Sequence, residues 1–161
     1  MRYRKTAAAA ASLLGLGVAG FGAMNVDAVV AGAGAAGNAP PVVTETFGSS
    51  PLVCDPNTTV GMEGCGEHKV LADDRQLNAD IRVIWARLTA TGKADFAKAQ
   101  ADWLAYRRAD CQSQSDLYQG GSEQPVAFVY CLASDDRSRH QDLAAFFAQL
   151  TQGESPRPSF P

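Results

Sequence analysis

The chain lacks the residue combinations that known catalytic motifs require. It has only two histidines, His68 and His140, in 161 residues, and neither has an evident nucleophile and orienting acid. No serine stands in a G-x-S-x-G motif, and no glycine-rich phosphate loop ends in a lysine. We therefore predict no catalytic residue, no cofactor and no enzymatic activity.

The N-terminus has the features of a secretory signal over residues 1–28. A basic start is followed by the uncharged, small or apolar residues 6–24, and the pattern Val-Asp-Ala fits cleavage after Ala28. The alternative is a retained membrane anchor, for which the run is long enough but unusually rich in Ala and Gly. No cysteine follows the run closely, since Cys54 is too distant for a lipid attachment. We favour a secreted or extracytoplasmic protein of the cell envelope without a stable membrane anchor.

An excess of basic residues is also missing. Without residues 1–28 the chain has 11 basic and 16 acidic residues and a net charge of −5. Nucleic-acid binding relies on Lys and Arg that neutralise phosphates, so we predict no nucleic-acid partner. The acidic balance is compatible with a basic protein partner, and equally with a role in solubility alone.

Four cysteines in an exported chain favour disulfides over thiol chemistry. Two bridges can be arranged in three ways, and we favour Cys54 with Cys65 and Cys111 with Cys131. Each pair closes a short loop that contributes about 3 kcal/mol when it is unstrained. The crossed pairings remain open.

A metal site is the alternative role for the first cysteine pair. Cys65 and His68 have C-x-x-H spacing, and Cys54 offers a third ligand. A structural zinc site normally needs four ligands, and His140 is far away in the sequence. We therefore predict no metal and place His68 on an exposed loop.

Composition divides the rest of the chain into three parts. Residues 29–52 are rich in Ala, Gly and Pro and are predicted to be a flexible linker. Residues 53–150 form the folded domain, for which we expect a monomer. Residues 151–161 contain one glycine and three prolines and are predicted to be a disordered tail.

The folded domain shows helical periodicity throughout and no lasting two-residue alternation. Three apolar stripes mark the helices: Leu77, Ile81, Ile84, Trp85 and Leu88; Phe96, Ala99, Trp103 and Tyr106; and Phe128, Leu132, Leu143, Phe146, Phe147 and Leu150. The first stripe is predicted to end at Thr91-Gly92, with a short turn or helix at residues 58–67 ahead of it. The fold class is therefore all-α, a small disulfide-stapled bundle of three main helices.

Two charged residues fall on buried positions of these stripes. Asp74 lies three residues before Leu77, and Arg107 lies four residues after Trp103. We predict a structural ion pair between Asp74 and Arg107 that joins the first two helices. Trp103 and Tyr106 are predicted to be core residues rather than binding aromatics.

The segment between the second and third helices, residues 112–125, is predicted to be a surface loop. It offers Asp116, Tyr118 and Glu123 as candidate partner-binding residues, because loops on rigid scaffolds commonly carry function. The alternative is a loop that only connects the two helices.

Several segments, taken in order, resemble the LprI-type lysozyme inhibitor family of small exported bacterial domains. The matching residues are Cys54 and Cys65; DRQLN at 74–78; QADWLAYRRADC at 100–111; Gly120-Gly121-Ser122; and Cys131-Leu132 with Arg139 and Leu143. The W-x-x-Y-R-x-x-x-C run is the most specific part. Ile81 stands where the family usually has Tyr, and Asp136 where it usually has Thr, changes that we interpret as packing or capping differences.

The resemblance implies a non-enzymatic protein that binds and inhibits lysozyme-type muramidases, with a basic lysozyme-like protein as its partner. A net charge of −5 would speed the encounter with such a partner. The alternative function is a cell-envelope scaffold or protein-interaction module that has no effect on lysozyme.

Overall fold

The computed structural model describes residues 39–48 and 50–161, in which three long helices follow one another along the chain. They are α1 (Thr59–Trp85), α2 (Ala90–Ser115) and α3 (Glu123–Leu150), with a 3₁₀ turn at Asp116–Tyr118 between α2 and α3. No strand occurs in these residues, so the prediction of an all-α fold with three main helices is confirmed.

The predicted signal at residues 1–28 lies outside the described residues. So does the first part of the predicted linker, residues 29–38. Within the part of the chain that the structure describes, no helix is both long and apolar enough to cross a membrane.

Helix α1 begins earlier than the apolar stripe predicts. The hydroxyl of Thr58 caps it by accepting a hydrogen bond from the Gly61 amide at 3.0 Å, and the helix continues without a break. The predicted separate turn at residues 58–67 is thus the first part of α1. Its glycines dilute the apolar signal but allow close packing, since a Cβ on Gly66 would overlap the side chain of Val129 on α3.

The ends of α1 and α2 also differ from the prediction. Helix α1 stops at Trp85, and Thr91-Gly92 belongs to the first turn of α2, where the Thr89 hydroxyl accepts from the Gly92 amide at 3.2 Å. At its other end α2 continues to Ser115, so the predicted loop at residues 112–125 shortens to residues 116–122. Amide side chains extend this polar end of the helix by bonding to carboxylates four residues away.

Helix α3 packs along both other helices, parallel to α1 and antiparallel to α2, whereas α1 and α2 make few direct contacts. Two apolar clusters form the core. The first contains Val43, Leu77, Ile81, Ile84, Trp85, Phe96, Leu143 and Phe147; the second contains Phe47, Val70, Cys111, Phe128, Val129, Cys131, Leu132 and Ala133. Each cluster includes a residue from the segment that precedes the helices.

That segment, residues 42–47, is called the strap here. Val43, Glu45 and Phe47 are buried in it, while the residues between them are exposed. The prediction of a flexible linker through residue 52 therefore fails for the strap. Its order arises from hydrogen bonds and burial against the helices, contacts that its short Val- and Thr-rich sequence, directly after Pro40 and Pro41, does not reveal.

The C-terminal residues 151–161 are packed in part as well. Thr151 is buried, and the Phe160 ring lies 5.1 Å from the ring of Phe147 and 5.7 Å from that of His140. The prediction of a disordered tail therefore does not describe these two residues. Through Phe160 the proline-containing segment packs against the first core cluster.

Two disulfides tie the helices together. Cys54 is bonded to Cys65, which joins the segment before α1 to the helix itself. Cys111 is bonded to Cys131, with a Cα–Cα distance of 5.4 Å, and joins α2 to α3. The sulfurs are thus paired as favoured from the sequence.

Replacing Cys111 and Cys131 together by alanine is expected to lower the free energy of unfolding by about 3 kcal/mol, because the bridge restricts the unfolded chain. Urea unfolding followed by circular dichroism measures the change. The matched variant, with Cys54 and Cys65 replaced, should lose less, since Cys54 is exposed and the bridged residues are 11 apart rather than 20. An unchanged urea midpoint for the first variant would contradict this expectation.

Candidate functional site

A buried charge cluster lies where the strap meets the helices. The Arg107 guanidinium is fully buried and contacts the carboxylates of Glu45 on the strap, Asp74 on α1 and Asp136 on α3. The predicted partner, Asp74, is the most distant of the three at 3.5 Å. The Arg107 side chain, on α2, therefore links the strap to all three helices. The sequence predicts only the pair of Asp74 and Arg107.

Burial dominates the protonation of this cluster. It raises the pKa of Glu45 and of Asp74 above their ordinary values despite the neighbouring Arg107, and it raises the pKa of Asp136 to about 8. For Arg107, burial acts to lower the pKa, but the charges of Asp136, Glu45 and Asp74 outweigh it and raise the pKa. One cation cannot fully compensate three buried carboxylates, and the pKa of Asp136 is raised the furthest of the three.

Trp103 and Tyr106, both predicted to lie in the core, have different environments. Trp103 is half-buried, with the guanidinium of Arg107 at 5.3 Å and that of Arg139 at 5.5 Å from its ring centre. Tyr106 is 61% exposed, so the prediction is wrong for this residue. The reason is helical geometry: Arg107 occupies the buried position, and its sequence neighbour points about 100° away from it.

Two of the three candidate partner-binding residues, Asp116 and Tyr118, lie in the short connection between α2 and α3, and the third, Glu123, is the first residue of α3. The Asp116 carboxylate accepts hydrogen bonds from the side-chain amides of Gln112 at 2.8 Å and Gln124 at 3.3 Å. Tyr118 is 50% exposed, and Leu117 beside it is 83% exposed. Glu123 is exposed in the first turn of α3. The structure thus forms an acidic and apolar surface at one end of the bundle, which we call the end surface: Asp116, Leu117, Tyr118 and Glu123.

The end surface is held by backbone contacts as well as by Asp116. The Gln119 amide donates to the Asp116 carbonyl at 3.2 Å, and the Gly121 amide donates to the Tyr118 carbonyl at 2.9 Å. Gly120 has a φ of 79°, a conformation that side chains with a Cβ rarely adopt. The turn is therefore an ordered feature that leaves the Leu117 side chain largely exposed.

The two histidines lie apart from this surface. His68 is exposed, as predicted, but it lies within helix α1 and not on a loop, because that helix begins at Thr59. Nδ1 of His140 lies 2.6 Å from a carboxylate oxygen of the buried Asp80. The only close group of potential metal ligands found among the described residues consists of Asp110 and Asp135 beside the disulfide of Cys111 and Cys131. Both sulfurs are bonded to each other there, which removes them as thiolate ligands.

These features define a disulfide-linked three-helix domain with a buried Arg–carboxylate cluster and an exposed end surface. The sequence matches the family described as "Lysozyme inhibitor LprI" over residues 54–143, more than half of the chain. The chain therefore belongs to the LprI lysozyme inhibitor family, as the sequence resemblance predicts.

An uncharacterized protein of Rhizobium meliloti (strain 1021) is 32% identical over 92 residues. The matched region covers 49% of this chain and 66% of that protein, slightly less than two thirds of its length. No solved structure matches the chain significantly.

Proposed function

We propose that this chain is a secreted, non-enzymatic inhibitor that binds lysozyme-type muramidases. Family membership over residues 54–143 is the observation that carries the proposal. In this view residues 1–28 direct export, and the partner is a basic, lysozyme-like protein. The net charge of −5 outside residues 1–28 favours the encounter with such a partner.

The end surface is the proposed contact region. Its exposed Leu117 and Tyr118 supply apolar and aromatic area, the kind of side chain that forms the centre of many protein interfaces. Glu123 and Asp116 place negative charge beside them. Because the turn is already held by hydrogen bonds, little conformational entropy remains to be lost on binding.

The two acidic residues have different proposed roles. Asp116 accepts hydrogen bonds from two amide side chains, so it both positions the turn and contributes charge. Glu123 is exposed at the start of α3, where its charge is available to a partner. Leu117 and Tyr118 would then provide most of the buried contact, and the carboxylates would mainly accelerate association.

Purified protein with both disulfides intact is expected to slow lysozyme hydrolysis of bacterial cell walls. Replacing Asp116 by Asn and Glu123 by Gln should weaken inhibition roughly tenfold at low salt and less at high salt, because salt screens exposed charges. The matched control is Asp95→Asn with Glu154→Gln, which removes the same charge from exposed positions away from the end surface. Turbidity loss of a cell-wall suspension gives the inhibition constant.

Two results would contradict the proposal. If the oxidised, folded protein does not inhibit at concentrations on the order of 100 μM, well above the range of specific complexes, the inhibitory function is wrong. If the control and the Asp116/Glu123 variant weaken inhibition equally, net charge rather than the end surface determines binding.

A further inference from the structure

The strap occupies its groove between α1 and α2 as an extended peptide whose backbone is bound by side chains of α1. The Val43 amide donates to Oδ1 of Asn78 at 2.8 Å, and Nδ2 of Asn78 donates to the Val43 carbonyl at 2.6 Å. The Glu45 amide donates to Oδ2 of Asp74 at 2.7 Å. Asp74 and Asn78 are four residues apart, so they lie on one face of the helix and meet the strap two residues apart.

Alternate side chains of the strap enter three separate environments. Val43 enters the first core cluster, Phe47 the second, and the carboxylate of Glu45 between them contacts Arg107. Recognition of this kind combines backbone hydrogen bonds, which give affinity, with pockets for every second side chain, which give selectivity. The groove is therefore shaped for an extended peptide of the pattern apolar-x-acidic-x-aromatic.

The connection between the strap and α1 suits exchange between molecules. It passes through exposed Gly48, which has a φ of 53°, and exposed Ser50 before reaching the helix. The strap also precedes the family-matched region, residues 54–143, so the groove belongs to the matched domain and its occupant does not. A change of backbone conformation at Gly48 would redirect the strap without altering any helix.

We propose that this groove is a peptide-binding site and that, besides its own strap, it accepts residues 42–47 of a second copy of the chain. A second copy carries the same Val43, Glu45 and Phe47 that fit this groove within one chain. The exchanged dimer forms the same hydrogen bonds and ion pairs as the closed monomer, and the difference between them lies in the connection.

Full-length Glu45→Ala protein tests the site, because its own strap is weakened while the groove keeps Arg107. A fluorescent peptide with the sequence of residues 39–48 is expected to bind it saturably in an anisotropy titration. The same peptide with Gln in place of Glu45 should bind about tenfold more weakly, because it loses the charged partner of Arg107. Where circular dichroism shows that Glu45→Ala does not fold, Glu45→Gln serves as the recipient.

Refolding Glu45→Ala and Arg107→Met chains together tests whether the groove of one chain accepts the strap of another. Only exchange between the two chains restores a Glu45–Arg107 pair, so native mass spectrometry should show a heterodimer that neither chain forms alone. Absence of peptide binding, or equal binding of the Glu and Gln peptides, would overturn the site. Peptide binding without the heterodimer would overturn the second copy as its occupant.

Discussion

Replacing Arg107 by methionine is expected to lower the free energy of unfolding by about 3–5 kcal/mol, since it leaves buried carboxyl groups without their cation. Methionine has a similar length and no charge, so the loss reports the missing guanidinium more than a cavity. The strap should also detach, because the buried Glu45 carboxylate would then lose its cation and lie near the carboxyl groups of Asp74 and Asp136. Urea unfolding measures the stability, and proteolysis within residues 39–48 measures strap release.

Arg108→Met is the matched control, because Arg108 is the next residue on α2 and is exposed. It should change the free energy of unfolding by less than about 0.5 kcal/mol, as surface substitutions usually do. A urea midpoint for Arg107→Met equal to that of the control would show that the buried ion pairs contribute nothing. Neutralising the carboxylates in the Arg107→Met background should recover part of the loss, since buried ion clusters can be replaced by neutral groups.

The sequence predicts one ion pair of this cluster, that of Asp74 and Arg107. It does not place Glu45 and Asp136 in the cluster, and the reasons can be identified. Asp74 and Arg107 stand on apolar helical stripes, and that periodicity places both toward the interior. Asp136 is interpreted from the sequence only as a packing or capping difference from the family, because nothing near it in the sequence points to Arg107, 29 residues away. Glu45 lies in an extended segment whose burial depends on a groove made by two distant helices, which no local pattern encodes.

Helix boundaries illustrate the same division between local and tertiary signals. The apolar periodicity identifies all three helices, but Gly61 to Gly66 and the polar end of α2 read as breaks in the sequence. In the structure these glycines permit close contact with neighbouring segments, and amide–carboxylate bonds extend α2 to Ser115. Contacts with other parts of the chain thus explain the glycines of α1, whereas side-chain bonds between residues four apart explain the polar end of α2.

The sequence predicts where the end surface lies along the chain, but not the exposure and hydrogen bonds of its residues. Asp116, Tyr118 and Glu123 follow from a loop expected between two helices joined by a disulfide. The structure places Asp116 and Tyr118 in the 3₁₀ turn and Glu123 at the start of α3. Leu117 is the most exposed apolar residue there, at 83%, yet its type alone would equally suit a core position. The sequence also gives no sign that Asp116 is bound by two glutamine side chains.

Stability is expected to fall as pH rises from about 5 to 8, and the Asp136→Asn variant should lose most of this dependence. Burial raises the pKa of Asp136 from 3.8 to about 8, so the folded protein holds a proton that the unfolded chain releases. The contribution of that proton is complete below the unfolded pKa and is lost as pH rises through the folded pKa. The raised pKa values of Glu45 and Asp74 act in the same direction.

The slope expected from Asp136 is up to about 1.4 kcal/mol per pH unit, hence several kcal/mol across this range. Asparagine mimics the protonated acid: it keeps an oxygen to accept from Arg107 but cannot ionise, so the variant should equal or exceed the wild type at pH 8. Urea unfolding at pH 5, 6, 7 and 8 measures both slopes, with Asp142→Asn as an exposed control on α3. Equal slopes for Asp136→Asn and the wild type would mean that Asp136 is ionised throughout. The cluster would then bind three carboxylates with one guanidinium, the arrangement that burial makes least stable.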